Sequence, residues 1–455
     1  MVEIPVKMYV TNLVKGLGGL VRPMAALPSQ TKDDALRAMA KALEEQEAAI
    51  LEANEQDTEA VGKTLAGESN KDRVKEAVAR VRLTPELIQD MVTSLRRVAD
   101  FPEPVGEMHD LHLEENGMQV CRMRVPIGLI GVISDLGPEV AVDAVALCLK
   151  SGNVSVLRLN ADWSRTNAVI FPAMAKAARE AGVPSGGFAV VERTEREVAL
   201  ELMRQPLLNA LIPRGGAGLR KAVQEHGRAP VLGFDGGMCH LYVDAEADLP
   251  MAQKIVVNSK IQKPGAVNAL DVLLVHKTTA RMFLAGLIRL LLEEFKVQLI
   301  GCPKTMSLMG SHTLTGYLSI RAAVEEDWHR QYPAREMGLK IVESLDEAME
   351  HIAKYAPSHT AGIVTKDYPS AMRFAREVDA GSVLVNSSTR LNDGWEMSLG
   401  GDLGMSAMRL HTRGPIGLRD LTCEKYVVLG SGQLREPHPV PDAYSDAIML
   451  KKGLG

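Results

Sequence analysis

Apolar residues recur three and four positions apart through SQTKDDALRAMAKALEEQEAAILEAN, placing Leu36, Met39, Leu43, Ile50 and Leu51 on one helical face. Ser29 and Thr31 are candidate caps at its start, with Asp33 and Asp34 in the first turn. A second helical stretch follows in TPELIQDMVTSLRRVADF. From residue 117 the period changes. GMQVCRMRVPIGLIGVIS alternates and then becomes a continuous β-branched run, the pattern of an exposed strand leading into a buried parallel one.

Beyond it strands and helices alternate: LIGVIS, a helix over 139–150, VSVLRL, a helix over 165–182, FAVV, a helix over 194–204, ALIP, a helix over 216–226 and CHLYVD. A second series runs through LDVLLVH, a helix over 279–295, LKIV, a helix over 345–355, AGIVT, a helix over 369–378 and SVLVN. Short connections between alternating elements predict an α/β fold of two doubly wound parallel sheets. The tail SGQLREPHPVPDAYSDAIMLKKGLG is rich in proline and polar residues, as expected of a segment lying on the surface or on a neighbouring subunit.

Composition adds exclusions. The 455 residues carry 52 basic against 57 acidic side chains, a net charge of −5, and 4% aromatics. That balance offers no footprint for nucleic acid or an anionic membrane. No apolar run approaches the length of a membrane span, and the first residues show no signal-peptide pattern, so the expected location is the cytoplasm. Five scattered cysteines (Cys121, Cys148, Cys239, Cys302, Cys423) fit reduced thiols, and no His/Cys/Asp cluster has metal-ligand spacing.

Three segments have the make-up of binding sites. In ALIPRGGAGLRKAV a strand ends on a turn, Arg214, Gly215, Gly216, Ala217 and Gly218, that opens a helix, so free N–H groups and a close backbone approach suit a phosphate. A ligand-free tight turn would read the same. VLGFDGGMCHLYVD holds Asp235, Cys239 and His240, but neighbours on a strand point to opposite faces, which argues against a direct Cys239–His240 pair. In VNSSTRLNDG, Asn386, Ser388, Thr389 and Arg390 could grip an anionic head group, Arg390 in bidentate fashion. His411 and Arg413 in HTRGPIGLRDLT are equally consistent with surface residues.

These segments in this order, with ILEANEQD, RVPIGLIGVI, VDAVALCLKSGN, RTNA and LHTRGPIGL, resemble glutamate-5-semialdehyde dehydrogenase, or γ-glutamyl phosphate reductase, of the aldehyde dehydrogenase superfamily. The resemblance runs from about residue 30 to 430. It implies an aldehyde-dehydrogenase-like fold: a dinucleotide-binding domain over 1–113 and 128–246, a catalytic-type domain over 247–418, and a β-flap with tail over 114–127 and 419–455 that mediates dimer or tetramer formation. It implies NADPH-dependent reduction of γ-glutamyl phosphate to the semialdehyde in proline synthesis, with glutamate kinase as the preceding enzyme and a conceivable partner. Arg158 and the 214–218 turn would serve the NADP(H), and Asn386, Ser388, Thr389 and Arg390 the substrate.

The departures from that family bear on chemistry. The resemblance places the nucleophilic cysteine at Val267, followed by an asparagine kept here as Asn268. Valine has no lone pair, so covalent catalysis through this position is impossible. Where the family reads YEARPN, this chain reads SDLGPE, with Gly137 and Glu139 replacing an arginine and an asparagine. Where it reads RGGKE, Leu159 and Asn160 replace glycines and Ala161 the lysine, which weakens the expectation of NADP(H). Ala361 replaces an acidic residue. The expectation is a non-catalytic paralogue that folds and assembles. The alternatives are an active dehydrogenase with an unrecognised route, or a different reaction with Asp135 or Glu139 as acid or base.

Overall fold

The computed structural model describes residues 4–68, 70–233, 237–309, 320–332, 334–355 and 359–435. Asp235, and the tail from 436 onward, lie outside the described residues. Six helices open the chain: α1 (Val6–Gly18), α2 (Val21–Ala25), α3 (Ser29–Glu45), α4 (Glu47–Thr64), α5 (Lys71–Val81) and α6 (Pro85–Asp100). Leu36, Met39, Leu43 and Ile50 are fully buried, as their spacing requires, while Leu51 is half-buried. Ser29 is the first helical residue rather than a cap. Pro28 precedes it without any side-chain cap, and a break at Gln46 divides the predicted helix in two.

Strands β1 (Met108–Leu113) and β2 (Gln119–Pro126) form a hairpin. Strand β3 (Leu129–Ser134) then starts a four-stranded parallel sheet with α7 (Pro138–Lys150), β4 (Val154–Arg158), α8 (Ser164–Glu180), β5 (Phe188–Val190), α9 (Arg196–Met203), β6 (Ala210–Arg214) and α10 (Ala217–His226). Its order, β5-β4-β3-β6, reverses direction between β3 and β6. Ligands in open α/β sheets bind at the carboxyl ends of strands flanking such a reversal.

The second sheet is built from β7 (Cys239–Val243), α11 (Leu249–Ile261), β8 (Val272–His276), α12 (Lys277–Arg289), β9 (Gln298–Gly301), α13 (Pro303–Met309), β10 (Ile320–Ala322), β11 (Glu336–Val342), α14 (Leu345–Tyr355), β12 (Thr360–Val364), α15 (Tyr368–Glu377) and β13 (Ser382–Val385). Its seven strands are all parallel, ordered β10-β9-β11-β8-β7-β12-β13. Helices cover both faces, which is why β7, β12 and nearly all of β8 are buried end to end. Two short strands, β14 (Met405–Ser406) and β15 (Gly414–Pro415), precede β16 (Thr422–Leu429), which pairs antiparallel with β2 over its whole length.

The expected domain boundaries shift in three places. Strand β7 pairs with β8 and β12, so the division between lobes falls before it and not at 246. Strand β1 belongs with β2 and β16 in the three-stranded flap, not to the first lobe. Leu403, Ile416, Leu418 and Leu421 return to the apolar core of the first lobe, so the stretch over 403–421 does not belong to the core of the second.

Candidate functional site

Helix α11 delivers the chain into the segment that carries Val267. Asp248 caps its start by accepting from the Met251 N–H at 3.0 Å, and Lys260, in its last turn, is buried with its ammonium donating to the Tyr332 carbonyl at 2.9 Å. A turn closed by Ala266 N–H to the Lys263 carbonyl (3.0 Å) then presents Val267 at 55% exposure. The side chain at this position therefore faces open space. Asn268 turns inward. Its amide donates to the Asn392 carbonyl at 2.9 Å, while its Oδ1 is buried without a partner.

Behind Val267 stands a polar network. The Cys239 thiol donates to the Val267 carbonyl at 3.3 Å and lies 3.5 Å from His359 Nδ1. Thr360 Oγ1 is 2.9 Å from the same nitrogen and accepts from Asn392 Nδ2 at 2.6 Å. Burial pushes the Cys239 thiol well above its ordinary range, and the nearby Asp271 carboxylate adds to the effect. Asp271 itself accepts from the Cys239 and Tyr332 N–H groups at 2.9 and 2.8 Å, and burial raises it to about 6. Cys239 is thus a protonated, solvent-excluded thiol aimed at the backbone of the neighbouring loop. His240, next to it, faces the other side of the sheet, with its ring 5.4 Å from that of His351, so the two are separated as strand geometry requires.

The four residues expected to bind substrate divide. Asn386 holds φ = 53° and binds Thr365 through its amide, accepting from its N–H and donating to its carbonyl at 2.9 Å each. It joins the ends of β12 and β13, and this exposed residue keeps one N–H and one lone pair. Ser388 is buried, 3.0 Å from Ser259 Oγ, and accepts from the Arg390 N–H at 3.2 Å. Thr389 is buried with its hydroxyl unpartnered. Arg390, half-buried, donates from Nε to Gln262 Oε1 at 2.8 Å, and so retains the terminal nitrogens that an anion would meet. His411 and Arg413 act structurally: the first contacts the Thr422 carbonyl at 2.9 Å and the second pairs with Asp379 at 2.6 Å.

Across from this loop, the first lobe contributes the carboxyl ends of β3, β4 and β6. The Asp135 N–H donates to the Arg214 carbonyl at 2.8 Å, closing the reversal point. Arg158, expected to serve a cofactor, donates to the Thr194 carbonyl at 2.9 Å and lies 3.7 Å from the Asp135 carboxylate. A Cβ at Gly215 would press on Asp135 Oδ2 and Leu219 Cδ2, each at 3.0 Å, so the turn packs closely against both. Gly216 and Gly218 are exposed at the start of α10, with no side chain capping the N–H groups there. Ala217 begins the helix. The phosphate cradle is therefore present in backbone. Asp135 lies beside it, Leu159 is buried against the core, and the exposed Ala161 supplies no charge. Arg158, 3.7 Å from Asp135, is the cation beside the cradle.

The guanidinium of Arg214 lies over Gly404, where a Cβ would fall 1.6 Å from Nη1, so only glycine fits. Asp143 and Asp402 flank it. Burial pushes Asp143 up to about 7, against a 2.5 Å hydrogen bond from Ser94, and burial likewise raises Asp402. Glu139, in the first turn of α7, folds back over Gly137, since a Cβ at 137 would meet its Oε2 at 2.2 Å. Burial raises this carboxyl; its own backbone N–H and Lys263, from the Val267 turn, oppose the shift. Glu139 thus lies within electrostatic range of Lys263, which sits four residues before Val267. The juxtaposition of Cys239 with His359, and of Glu139 with Lys263, depends on strand pairing and lobe packing that no local pattern in the sequence announces.

Known proteins give this geometry its setting. A model of the aldehyde dehydrogenase family matches residues 19–301. The γ-glutamyl phosphate reductase of Heliobacterium modesticaldum is 43% identical over 413 residues, covering 90% of this chain and 95% of the relative. That of Moorella thermoacetica is 42% identical over 416 residues, covering 91% and 96%. The crystal structure of γ-glutamyl phosphate reductase from Thermotoga maritima superposes with a TM-score of 0.85 at 35% identity, over 95% of this chain and all of that one. An acetylating aldehyde dehydrogenase from Geobacillus thermoglucosidasius shares the fold at 16% identity and a TM-score of 0.65. On sequence and fold together, the chain belongs to the γ-glutamyl phosphate reductase family of aldehyde dehydrogenases.

Proposed function

We propose that this chain is a non-catalytic member of that family, keeping its scaffold and assembly while lacking the covalent reduction of γ-glutamyl phosphate. The observation that carries the reading is the exposed valine at the tip of the 263–268 turn. A thioester needs a thiolate that can reach an acyl carbon, and a hydrocarbon cannot supply it. The thiol nearest to it among the described residues, that of Cys239, is fully buried and held protonated. Glu139 and Asp135 add negative charge where an acyl phosphate and a dinucleotide would need cations. With Asp135 beside the glycine turn, NADP(H) binding is weak. The protein works in the cytoplasm on, or beside, small metabolites.

Assembly follows the flap. Leu111, Leu113, Tyr426 and Val428 are each more than half exposed on β1 and β16, a set of apolar side chains that a second copy would cover. Homo-oligomerisation through this sheet is the expected state. Pairing with the glutamate kinase that makes the family's substrate is a further expectation, checked by co-purification of the two proteins.

The deciding test is turnover. Purified protein incubated with glutamate semialdehyde, phosphate and NADP⁺ should produce no NADPH absorbance above a protein-free control. Turnover at ordinary enzymatic rates, or an acyl adduct on any side chain found by mass spectrometry, overturns the proposal.

A further inference from the structure

On the outer face of α11, away from the buried Ser259 and Lys260, a groove of about 620 Å³ runs between this helix and the end of α12. Its floor is apolar and half-buried, made by Val257 and Ile261 one turn apart on α11 and by Leu290 and Phe295 from the end of α12. Leu290 and Phe295 stand five positions apart, which on an α-helix would separate them by ~140°. The π-helical turn Leu290–Glu294, closed by the Phe295 N–H on the Leu290 carbonyl at 3.3 Å, is wider and brings both residues to the same groove. Such turns are rare and recur at functional sites. The volume falls in the range typical of small-molecule sites.

The charge at the groove is of one sign. Lys254, exposed on α11, lines it, and among the described residues no aspartate or glutamate does. Asp248, the carboxylate on which Lys254 acts electrostatically, already accepts from the Met251 N–H at 3.0 Å and pairs with Lys366 at 3.2 Å. Glu293, in the π-turn, pairs with Arg289 at 2.8 Å. Gln262, at the last turn of α11, gives its Oε1 to Arg390 Nε at 2.8 Å and keeps its amide N–H groups as donors. Gln253 and Asn258 offer donor and acceptor alike, so they favour neither sign. An apolar floor with a cation and N–H donors at its rim complements a molecule with an apolar body and an anionic head.

We infer that this groove is a binding site for a small amphiphilic carboxylate, an aliphatic chain carrying one anionic head. The chain lies along Val257, Ile261, Leu290 and Phe295, removing their half-exposed surface from water. The carboxylate meets the Lys254 ammonium. An amine of the same length brings a cation to Lys254 and is disfavoured. The site stands apart from the question of turnover, since none of its binding groups is asked to do chemistry.

Octanoate and octylamine are the probes, titrated into the full-length protein at neutral pH by calorimetry and thermal shift. A ligand of this size in a matching groove binds with a Kd of about a millimolar. Octanoate should raise the melting temperature and bind about tenfold more tightly than octylamine, one head being attracted to Lys254 and the other repelled. The net charge of −5 works the other way over the rest of the surface, so that order reports the groove. Lys254→Glu, at an exposed position where the fold loses little, should reverse the order. Val257→Asp, which puts a carboxylate in the floor, should abolish octanoate binding. No octanoate binding by the wild-type protein, the result if a second copy covers the groove, would overturn the inference. So would equal binding of octylamine, or an order unchanged in Lys254→Glu.

Discussion

Restoring a thiol at Val267→Cys separates two explanations for lost chemistry: a missing nucleophile alone, or a pocket that also repels the substrate. The position is 55% exposed, so the change should alter stability by no more than ~0.5 kcal/mol. Four of the five native cysteines are buried and Cys423 is half-buried, so the new thiol should be the fastest to react with iodoacetamide. At an ordinary thiol pKa of ~8.5, roughly 3% would be thiolate at pH 7, more with Lys263 and Arg390 nearby. Glu139, within electrostatic range of Lys263 in the same turn, would still be present. A substrate anion about 6 Å from a carboxylate, at an effective dielectric constant of ~20, is disfavoured by about 3 kcal/mol, or roughly a hundredfold. Val267→Cys alone should therefore label rapidly but show barely detectable semialdehyde oxidation. Val267→Cys with Glu139→Asn should exceed it by about a hundredfold in kcat/KM, measured as NADPH formation. If the single variant performs as well as the double, the Glu139 carboxylate is not an obstacle and the electrostatic reasoning is refuted.

Other outcomes follow from the same geometry. Asp135→Asn should tighten NADPH binding by several-fold in fluorescence titration, because it removes the carboxylate beside the glycine turn; unchanged affinity would show that Asp135 is fully neutralised by Arg158. His240 is buried neutral, and burial depresses it to about 3. Its unfolded form takes up a proton first as pH falls below about 6.5, so stability is intact above that pH and is lost progressively toward pH 3. At pH 4.5 the loss is about 2–3 kcal/mol, and a His240→Leu variant should gain on that order relative to wild type between pH 7 and 4.5 in urea unfolding. Asn386→Ala should lower stability by about 1–3 kcal/mol through loss of both Thr365 hydrogen bonds, with no change in the binding of any anionic ligand. Leu111→Asp, on the exposed face of β1, should shift the sedimentation coefficient toward that of a monomer.

Much of the architecture could be read from the chain because parallel strands buried on both faces leave continuous apolar runs, as in Val272–His276 and Thr360–Val364. Helix α11 escaped that reading. Its inward face carries Ser259 and Lys260 beside Ile255 and Val256, so burial there does not coincide with apolarity and NSKIQKPG looks like a polar loop. The π-helical turn Leu290–Glu294 that ends α12 was likewise absorbed into one long predicted helix. The Val267 position was identified by resemblance alone. What stands behind it was not. Thr360 pairs with Cys239 across β12 and β7, and this places His359 against the thiol, a contact between residues 120 positions apart in the chain. Asn386 is ambiguous for a related reason. A polar residue just after a strand fits a ligand or a strand tie equally well, and only the neighbouring strand end shows which one uses it.

The residues that carry the family likeness and the residues that depart from it occupy different physical positions. Asn54, in ILEANEQD, accepts from the Leu83 N–H at 2.7 Å and donates to the Val81 carbonyl at 2.8 Å. Asp57, in the same motif, accepts from Thr166 N–H and hydroxyl at 2.8 Å each, joining α4 to the start of α8. Asn153 accepts from Gly128 N–H at 2.7 Å and donates to the Leu421 carbonyl at 2.8 Å, tying the first sheet to the start of the flap strand. All three are buried, and removing any of them would strand backbone groups away from water. Val267, Gly137 and Ala161 lie at loop ends or helix starts with solvent beside them, where replacement costs the fold little. Ala361 is the exception, fully buried in β12, where an acidic side chain would itself need a partner. A scaffold of this kind can lose its reaction by a few substitutions that leave every brace in place. A close structural match therefore follows from the braces, and whether the chain turns over substrate is decided by the loops.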